Sequence, residues 1–91
     1  MEFEWESLKA DRNLKKHGVS FHEAATVFDD DLSITYYEPD HSATEQRFIT
    51  VGMSRFGHIV MVAHTERAEK VRIISARRAT PQERRYYEEN K

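Results

Sequence analysis

The sequence predicts an α+β fold in which an antiparallel β-meander follows two helices and precedes one more, all within one domain spanning residues 1–91. Three observations carry that expectation. Four segments beyond residue 31 are rich in β-branched and aromatic residues at period two and are separated by short turn-forming stretches. Two segments before them and one after carry helix start and stop signals. A content of 38% hydrophobic residues in 91 is enough for a single modest core covered by few layers.

Phe3 and Trp5 alternate with Glu2, Glu4 and Glu6, the pattern of a short strand with one apolar face. Ser7 offers an N-cap for a helix over Leu8 to Lys16, which Lys16-His17-Gly18 ends with cationic residues and a glycine. On this reading Asn13, His17 and Gly18 are structural. Ser20-Phe21-His22-Glu23 reads as a capping box in which Glu23 reaches back to the cap, with Val19 stapled onto Ala24. The helix it starts runs to about Phe28, buries Phe21, Ala24, Ala25 and Phe28, and stops at Asp29-Asp30-Asp31. Leu32 to Tyr37 is the next strand, and Glu38-Pro39-Asp40-His41-Ser42 breaks it. Strands follow over Gln46 to Ser54, Ile59 to Glu66 and Lys70 to Arg78, turning at Arg55-Phe56-Gly57 and near Ala68-Glu69. Thr80-Pro81-Gln82-Glu83 combines an N-cap, a proline at the first helical position and a capping glutamate, so a last helix occupies about Pro81 to Asn90. The order is β-α-α-β-β-β-β-α, with the helices expected against one face of the sheet.

Composition removes several function classes. Without cysteine there is no disulfide, thiolate ligand or thiol nucleophile. His17, His22, His41, His58 and His64 are scattered without metal-ligand spacing, so neither a metal nor a cofactor is expected. No window reaches the roughly 18 apolar residues of a membrane span, and the start Met-Glu-Phe-Glu-Trp lacks a signal-peptide plan, which points to the cytoplasm. The net charge of −2 hides a segregation. Between Lys16 and Arg47 there are seven acidic residues and no lysine or arginine, whereas from His64 to Arg85 seven cations face three glutamates. A basic end on a neutral chain suggests a polyanion site.

That site is expected on the hairpin formed by His64-Thr65-Glu66-Arg67 and Val71-Arg72-Ile73-Ile74-Ser75-Ala76-Arg77-Arg78, whose guanidinium density exceeds what a half-buried sheet requires. Arginine presents planar, permanently charged donors that match phosphate oxygens. If Glu66 pairs with Val71, His64 falls opposite Ile73 and Val62 opposite Ser75. His64, Glu66, Ser75 and Arg77 then share one face and Arg67, Arg72 and Arg78 the other; a bulge would reverse these memberships. Each residue also has a structural alternative. His64 could simply hydrogen-bond within the sheet, and Glu66 could pair with Arg67 or Arg72.

Several pieces in order and spacing resemble the BrnT family of small bacterial type II toxins. They are Phe3-Glu4-Trp5, Lys9, Asn13, Lys16-His17-Gly18-Val19-Ser20-Phe21, Glu23-Ala24, Val27-Phe28-Asp29-Asp30 and Arg47 before Gly52. The hairpin segments follow, together with Ala79, Glu83-Arg84 and Tyr87. One departure is Trp5-Glu6-Ser7, where the family commonly has Trp-Asp-Pro. The resemblance implies a RelE-like fold and a metal-independent ribonuclease that cleaves RNA and stops translation. It also implies neutralisation by a ribbon-helix-helix antitoxin, BrnA, through which alone the toxin would meet operator DNA.

Cleaving RNA without a metal requires fixed cations at the phosphorane oxygens and groups that move two protons. The expected catalytic set is Arg67, Arg72 and Arg77 for charge, His64 and Glu66 for proton transfer, and, since RelE-like nucleases lean on Arg, Lys and Tyr, Tyr87 or Tyr86 from the last helix. Lys9, Lys16, Arg78 and Arg84 are candidate RNA contacts. The three arginines are expected to converge on one pocket, free of internal ion pairs. The same fold also serves ParE-type toxins that inhibit gyrase, and a degenerate member could act only as an antitoxin-binding co-repressor.

Overall fold

In the computed structural model, which describes residues 1–41 and 45–90, the eight expected elements occur in the expected order. They are β1 (Glu2–Glu4), α1 (Ser7–His17), α2 (Phe21–Thr26), β2 (Ile34–Tyr37), β3 (Phe48–Met53), β4 (Ile59–Arg67), β5 (Lys70–Arg78) and α3 (Pro81–Glu89). Short 3₁₀ turns over Val27–Asp29 and Pro39–His41 extend α2 and follow β2. Ser42, the end of the expected turn, lies outside the described residues.

Local chemistry accounts for most boundaries. Gly18 ends α1 in the left-handed conformation (φ 71°), its N–H donating to the Leu14 carbonyl at 2.8 Å. The Thr80 hydroxyl and the Glu83 carboxylate cap each other's backbone at the start of α3, with Pro81 at the first position. Ala68 and Glu69 form the β4–β5 turn with positive φ at both residues (48° and 69°), the hairpin geometry that Asn-Gly adopts most readily. Two caps differ from expectation. Ser7 is the first helical residue, and Glu6 takes the cap position without a side-chain bond. Ser20 does cap α2, accepting from the Glu23 N–H at 2.9 Å, but the Glu23 carboxylate turns inward to receive Ser54 and His58.

The sheet order is β1-β5-β4-β3-β2. β2 to β5 form the expected antiparallel meander, but β1 runs parallel to β5, pairing Phe3 with Val71, so the sheet is mixed. Parallel pairing arises because α1 and α2 carry the chain across one face of the sheet, from the β1 edge to the β2 edge.

The helices also cover both faces. Alternate residues of β4 point oppositely: Val60 and Val62 join Val19, Phe21, Ala24 and Val27 under α1 and α2, whereas Met61 and Ala63 join Ile49, Val51 and Tyr87 under α3. Gly52 in β3 is set by close approach, since a Cβ there would stand 2.8 Å from the Ser33 Cβ. Among the described residues no helix is long and apolar enough to cross a membrane.

Two polar ties hold the layers. Buried Asn13 of α1 donates from Nδ2 to the carbonyls of Val19 (2.9 Å) and Ala76 (2.8 Å) and accepts the Ala76 N–H at 3.1 Å, serving β5 as a surrogate neighbour beyond the end of β1. Asp30 accepts Leu32 N–H on Oδ1 (3.0 Å), and on Oδ2 both Met53 N–H (2.8 Å) and the Tyr87 hydroxyl (2.6 Å), binding the end of β3 to α3.

Replacing Asn13 by Ala removes the partner of the Ala76 N–H and of the Val19 and Ala76 carbonyls, and a buried group left unsatisfied costs roughly 1–3 kcal/mol. We expect Asn13→Ala to lower stability by about 2–4 kcal/mol, read by denaturant unfolding; a loss below about 1 kcal/mol would refute the tie.

Candidate functional site

The β4–β5 hairpin begins in the expected register, with Glu66 opposite Val71 and His64 opposite Ile73. It then shifts at Ala63/His64, where β5 carries an extra residue, so Ser75 lies opposite Ala63, Ala76 opposite Val62 and Arg77 opposite Met61. Since facing alternates with each residue, this bulge moves Ser75 and Arg77 onto the face of Arg67 and Arg72 and sends Arg78 to the other. All three arginines assigned to phosphate therefore share one face, on which α3 covers one end. His64 and Glu66 occupy the opposite face.

The arginines form a row rather than a pocket. Arg77 lies five positions beyond Arg72, roughly 15 Å along an extended strand. Each is also held by a carboxylate, contrary to the expectation of free guanidinium groups. Arg67 donates from Nε and Nη2 to Glu45 at 2.7 and 3.0 Å, Arg72 from Nη1 to Glu4 at 2.8 Å, and Arg77 from Nη1 and Nη2 to Glu83 at 2.8 and 3.1 Å. The partner foreseen for Arg67 or Arg72, Glu66, is exposed on the other face.

Arg77 leads into an open cleft of about 440 Å³ between the sheet and α3, lined by Tyr36, Val51, Thr80, Gln82, Glu83 and Tyr86. Tyr36 and Tyr86 present rings that are 41% and 47% exposed, suited to stacking on flat ligands. Burial raises the Tyr36 hydroxyl above its usual range, reinforced by Glu83 and Glu38 against the opposing pull of Arg77, and it remains a proton donor at neutral pH. Burial resists ionisation of Glu83, but the hydrogen bonds from Arg77 and Thr80 and the charge of Arg77 outweigh it and keep the carboxyl below the usual carboxylate range.

Neither Tyr36 nor Glu83 stood out in the sequence as a site residue. Tyr36 was one of several aromatics in an alternating strand, and Glu83 was fully explained by its cap. The only available signal was the pairing of Tyr36 with Tyr37 on a strand otherwise meant for a half-buried sheet.

The remaining expected site residues lie apart from this cleft or are committed elsewhere. His64 is 3% exposed beneath α2, with Nε2 2.8 Å from the Thr50 hydroxyl and its ring against Phe28 and Phe48 (centroids 4.9 and 6.0 Å). Burial drives its pKa down to about 4, so it is a neutral core residue at pH 7. Tyr87, 2% exposed, donates its hydroxyl to Asp30, and burial together with that bond pushes its pKa up to about 12. Lys9 and Lys16 are exposed on α1, across the sheet from the arginine row. Arg78 and Arg84 are exposed beside the β3–β4 turn and the start of α3. Among the described residues no group of three or more His, Cys, Asp or Glu is placed to hold a metal ion.

A family model described as "Ribonuclease toxin, BrnT, of type II toxin-antitoxin system" matches residues 5–83. Among solved structures, the 1.1 Å crystal structure of the Brucella abortus ribonuclease toxin, BrnT, is similar to this chain with a TM-score of 0.64 and 22% identity. The match covers 88% of this chain and 97% of that one, and shows a shared fold. No curated protein matches the chain.

His64 gives this face assignment a pH signature. An unfolded imidazole takes up a proton near pH 6.5, whereas the folded one refuses it until about pH 4, so below pH 6.5 the unfolded chain binds more protons and stability falls as pH drops. Across that window the loss approaches about 3 kcal/mol. His64→Gln should flatten this slope in urea titrations from pH 7 to 4, and an unchanged slope would assign it to another group.

Proposed function

Since the chain belongs to the BrnT family of ribonuclease toxins of type II toxin-antitoxin systems, we propose that it is a metal-independent endoribonuclease whose cleavage centre is the cleft beside Arg77. The observation that carries this reading is Arg77 on the arginine face, bordered by two exposed tyrosine rings and an ionised carboxylate that aims its guanidinium.

In the proposed reaction the ribose 2′-hydroxyl gives its proton to solvent water in the open cleft as its oxygen attacks the adjacent phosphorus, the bond from phosphorus to the 5′-oxygen breaks with that oxygen taking up a proton, and a 2′,3′-cyclic phosphate remains. The Arg77 guanidinium stabilises the charge that gathers on the phosphorane, a role in which one fixed donor is worth roughly 10²–10³ in rate. Glu83 orients Arg77. Its depressed pKa makes it a poor base, so its contribution is positional. Tyr36 remains protonated and is suited to donate to the leaving oxygen, and Tyr86 offers a stacking surface for a base. Arg72 and Arg67 continue the row and hold neighbouring phosphates.

Ion pairing does not preclude this. The Arg67–Glu45 pair is about half exposed on both sides and contributes little to stability, so a polyanion can replace the carboxylate. His64 and Tyr87 drop out of the catalytic set because both are buried in structural contacts, and Glu66 because it faces away. The physiological reading is a cytoplasmic toxin that stops translation by cutting RNA. A BrnA-type ribbon-helix-helix antitoxin restrains it and carries the pair to operator DNA.

The carboxylates on all three arginines favour one second reading, a catalytically silent member that serves as an antitoxin-binding co-repressor. The two readings separate directly. Purified protein freed of antitoxin should cut RNA in EDTA and leave a 2′,3′-cyclic or 3′-phosphate. Arg77→Ala should lower the rate about 10²–10³-fold and Arg72→Ala should weaken it, both with melting curves close to the parent's. RNA left intact with and without ribosomes, and no growth arrest on expression, would establish the silent reading.

A further inference from the structure

On the far side of α3 from the cleft lies a second cavity of about 520 Å³, bounded by the β3–β4 turn, the end of β5 and α3. His58, Arg78 and Arg84 line it, with Glu88 the one acidic wall residue among the described residues. Unlike the arginine row, Arg78 and Arg84 form no ion pair among the described residues. His58 is anchored from behind. With the Glu23 carboxylate as acceptor, its Nδ1–H donates to Oε2 at 3.0 Å, the Ser54 hydroxyl donates to the same oxygen at 2.7 Å, and Glu23 itself is 6% exposed. This is why Glu23 forgoes its expected place in the α2 capping box.

We propose that His58, Arg78 and Arg84 form an anion site that takes a phosphate of a bound RNA strand, upstream or downstream of the bond cleaved in the cleft. The inference rests on the ribonuclease reading for the identity of the polyanion. Two guanidinium forks without carboxylate partners match phosphate oxygens, and the His58 ring, held by Glu23 through Nδ1, adds a donor at Nε2 when it carries both protons. Arg77 and Arg78 are consecutive on β5 and face opposite ways, one toward the cleft and the other toward this cavity. Glu83 and Tyr86 occupy the cleft side of α3 while Arg84 and Glu88 occupy the cavity side. The two sites are therefore about one helix diameter apart, roughly 10 Å. A polymer with a phosphate at every residue spans that distance and engages both, whereas a single carboxylate engages one.

The test uses the full chain freed of antitoxin and a fluorescent 2′-O-methyl RNA oligonucleotide, which lacks the attacking hydroxyl, titrated by anisotropy over a range of salt. The double variant Arg78→Ala/Arg84→Ala should bind at least tenfold more weakly, and its log–log salt slope should be shallower by about 1.4, the value for two lost phosphate contacts on a single strand. Arg12→Ala, which removes an exposed cation of α1, should change affinity less than twofold. A double variant that binds like Arg12→Ala overturns the inference, and if the parent still cuts RNA, the ribonuclease reading survives that failure. Conversely, oligonucleotide binding that depends on Arg78 and Arg84 in a parent unable to cut unmodified RNA upholds the site and sinks the nuclease. Loss of antitoxin affinity with RNA affinity intact assigns the cavity to a protein partner and overturns the proposal. Both substituted side chains are exposed and unpaired, so thermal melting should match the parent.

Discussion

One extra residue in β5 decides which side of the molecule carries the charge. Side-chain facing in a strand has period two, so any odd insertion inverts everything beyond it. The register shift at Ala63/His64 is such an insertion, and it reunites Arg77 with Arg72 and Arg67. What keeps β5 in that register past the end of β1 is Asn13, whose amide meets both backbone groups of Ala76 from a helix 63 residues earlier in the chain. A side chain that donates and accepts at a single residue tolerates no slip, because a one-residue shift would leave it facing the wrong pair of groups. Helix α1 thus controls the composition of a face it never touches.

Charge on that face is balanced by distant elements. Glu4 comes from β1, Glu45 from the segment before β3 and Glu83 from α3, and each meets a different arginine. The resting surface is consequently close to neutral although the hairpin by itself is strongly basic. A ligand must exchange with Glu4 and Glu45 while Glu83 stays on Arg77, which makes affinity depend on how many phosphates it offers at once. Arg78 and Arg84, which form no ion pair among the described residues, lie instead beside α3, whose position is fixed by the Tyr87–Asp30 bond at its other end.

Elements were legible in the sequence because their signals are local. Ser20, Gly18, Thr80-Pro81 and Glu83 each act within a few residues, and the strand boundaries of β5 matched the expected Lys70 to Arg78. The arrangement was not legible where long-range contacts decide it. Nothing near Phe3 says that β1 will pair with Val71 in parallel, and nothing near Tyr87 says that α3 will take the face opposite α1. The same limit explains the site. Residue type alone made His64 and Tyr87 attractive, while burial and the partners Thr50 and Asp30, supplied by other strands and turns, made them structural. Glu23 shows the converse, since a local motif predicted its backbone role and a remote pair, Ser54 and His58, claimed its carboxylate.

The parallel pairing of β1 with β5 also orders events during synthesis. Glu4 meets Arg72 across 68 residues, so this edge of the sheet cannot close until β5 has left the ribosome. Helices α1 and α2 and the successive hairpins involve shorter loops and can gather earlier, whereas docking of the first strand must wait for the last. A sheet built this way completes its basic surface only when its last strand arrives, and a nascent chain stalled before β5 lacks Arg72 and Arg77.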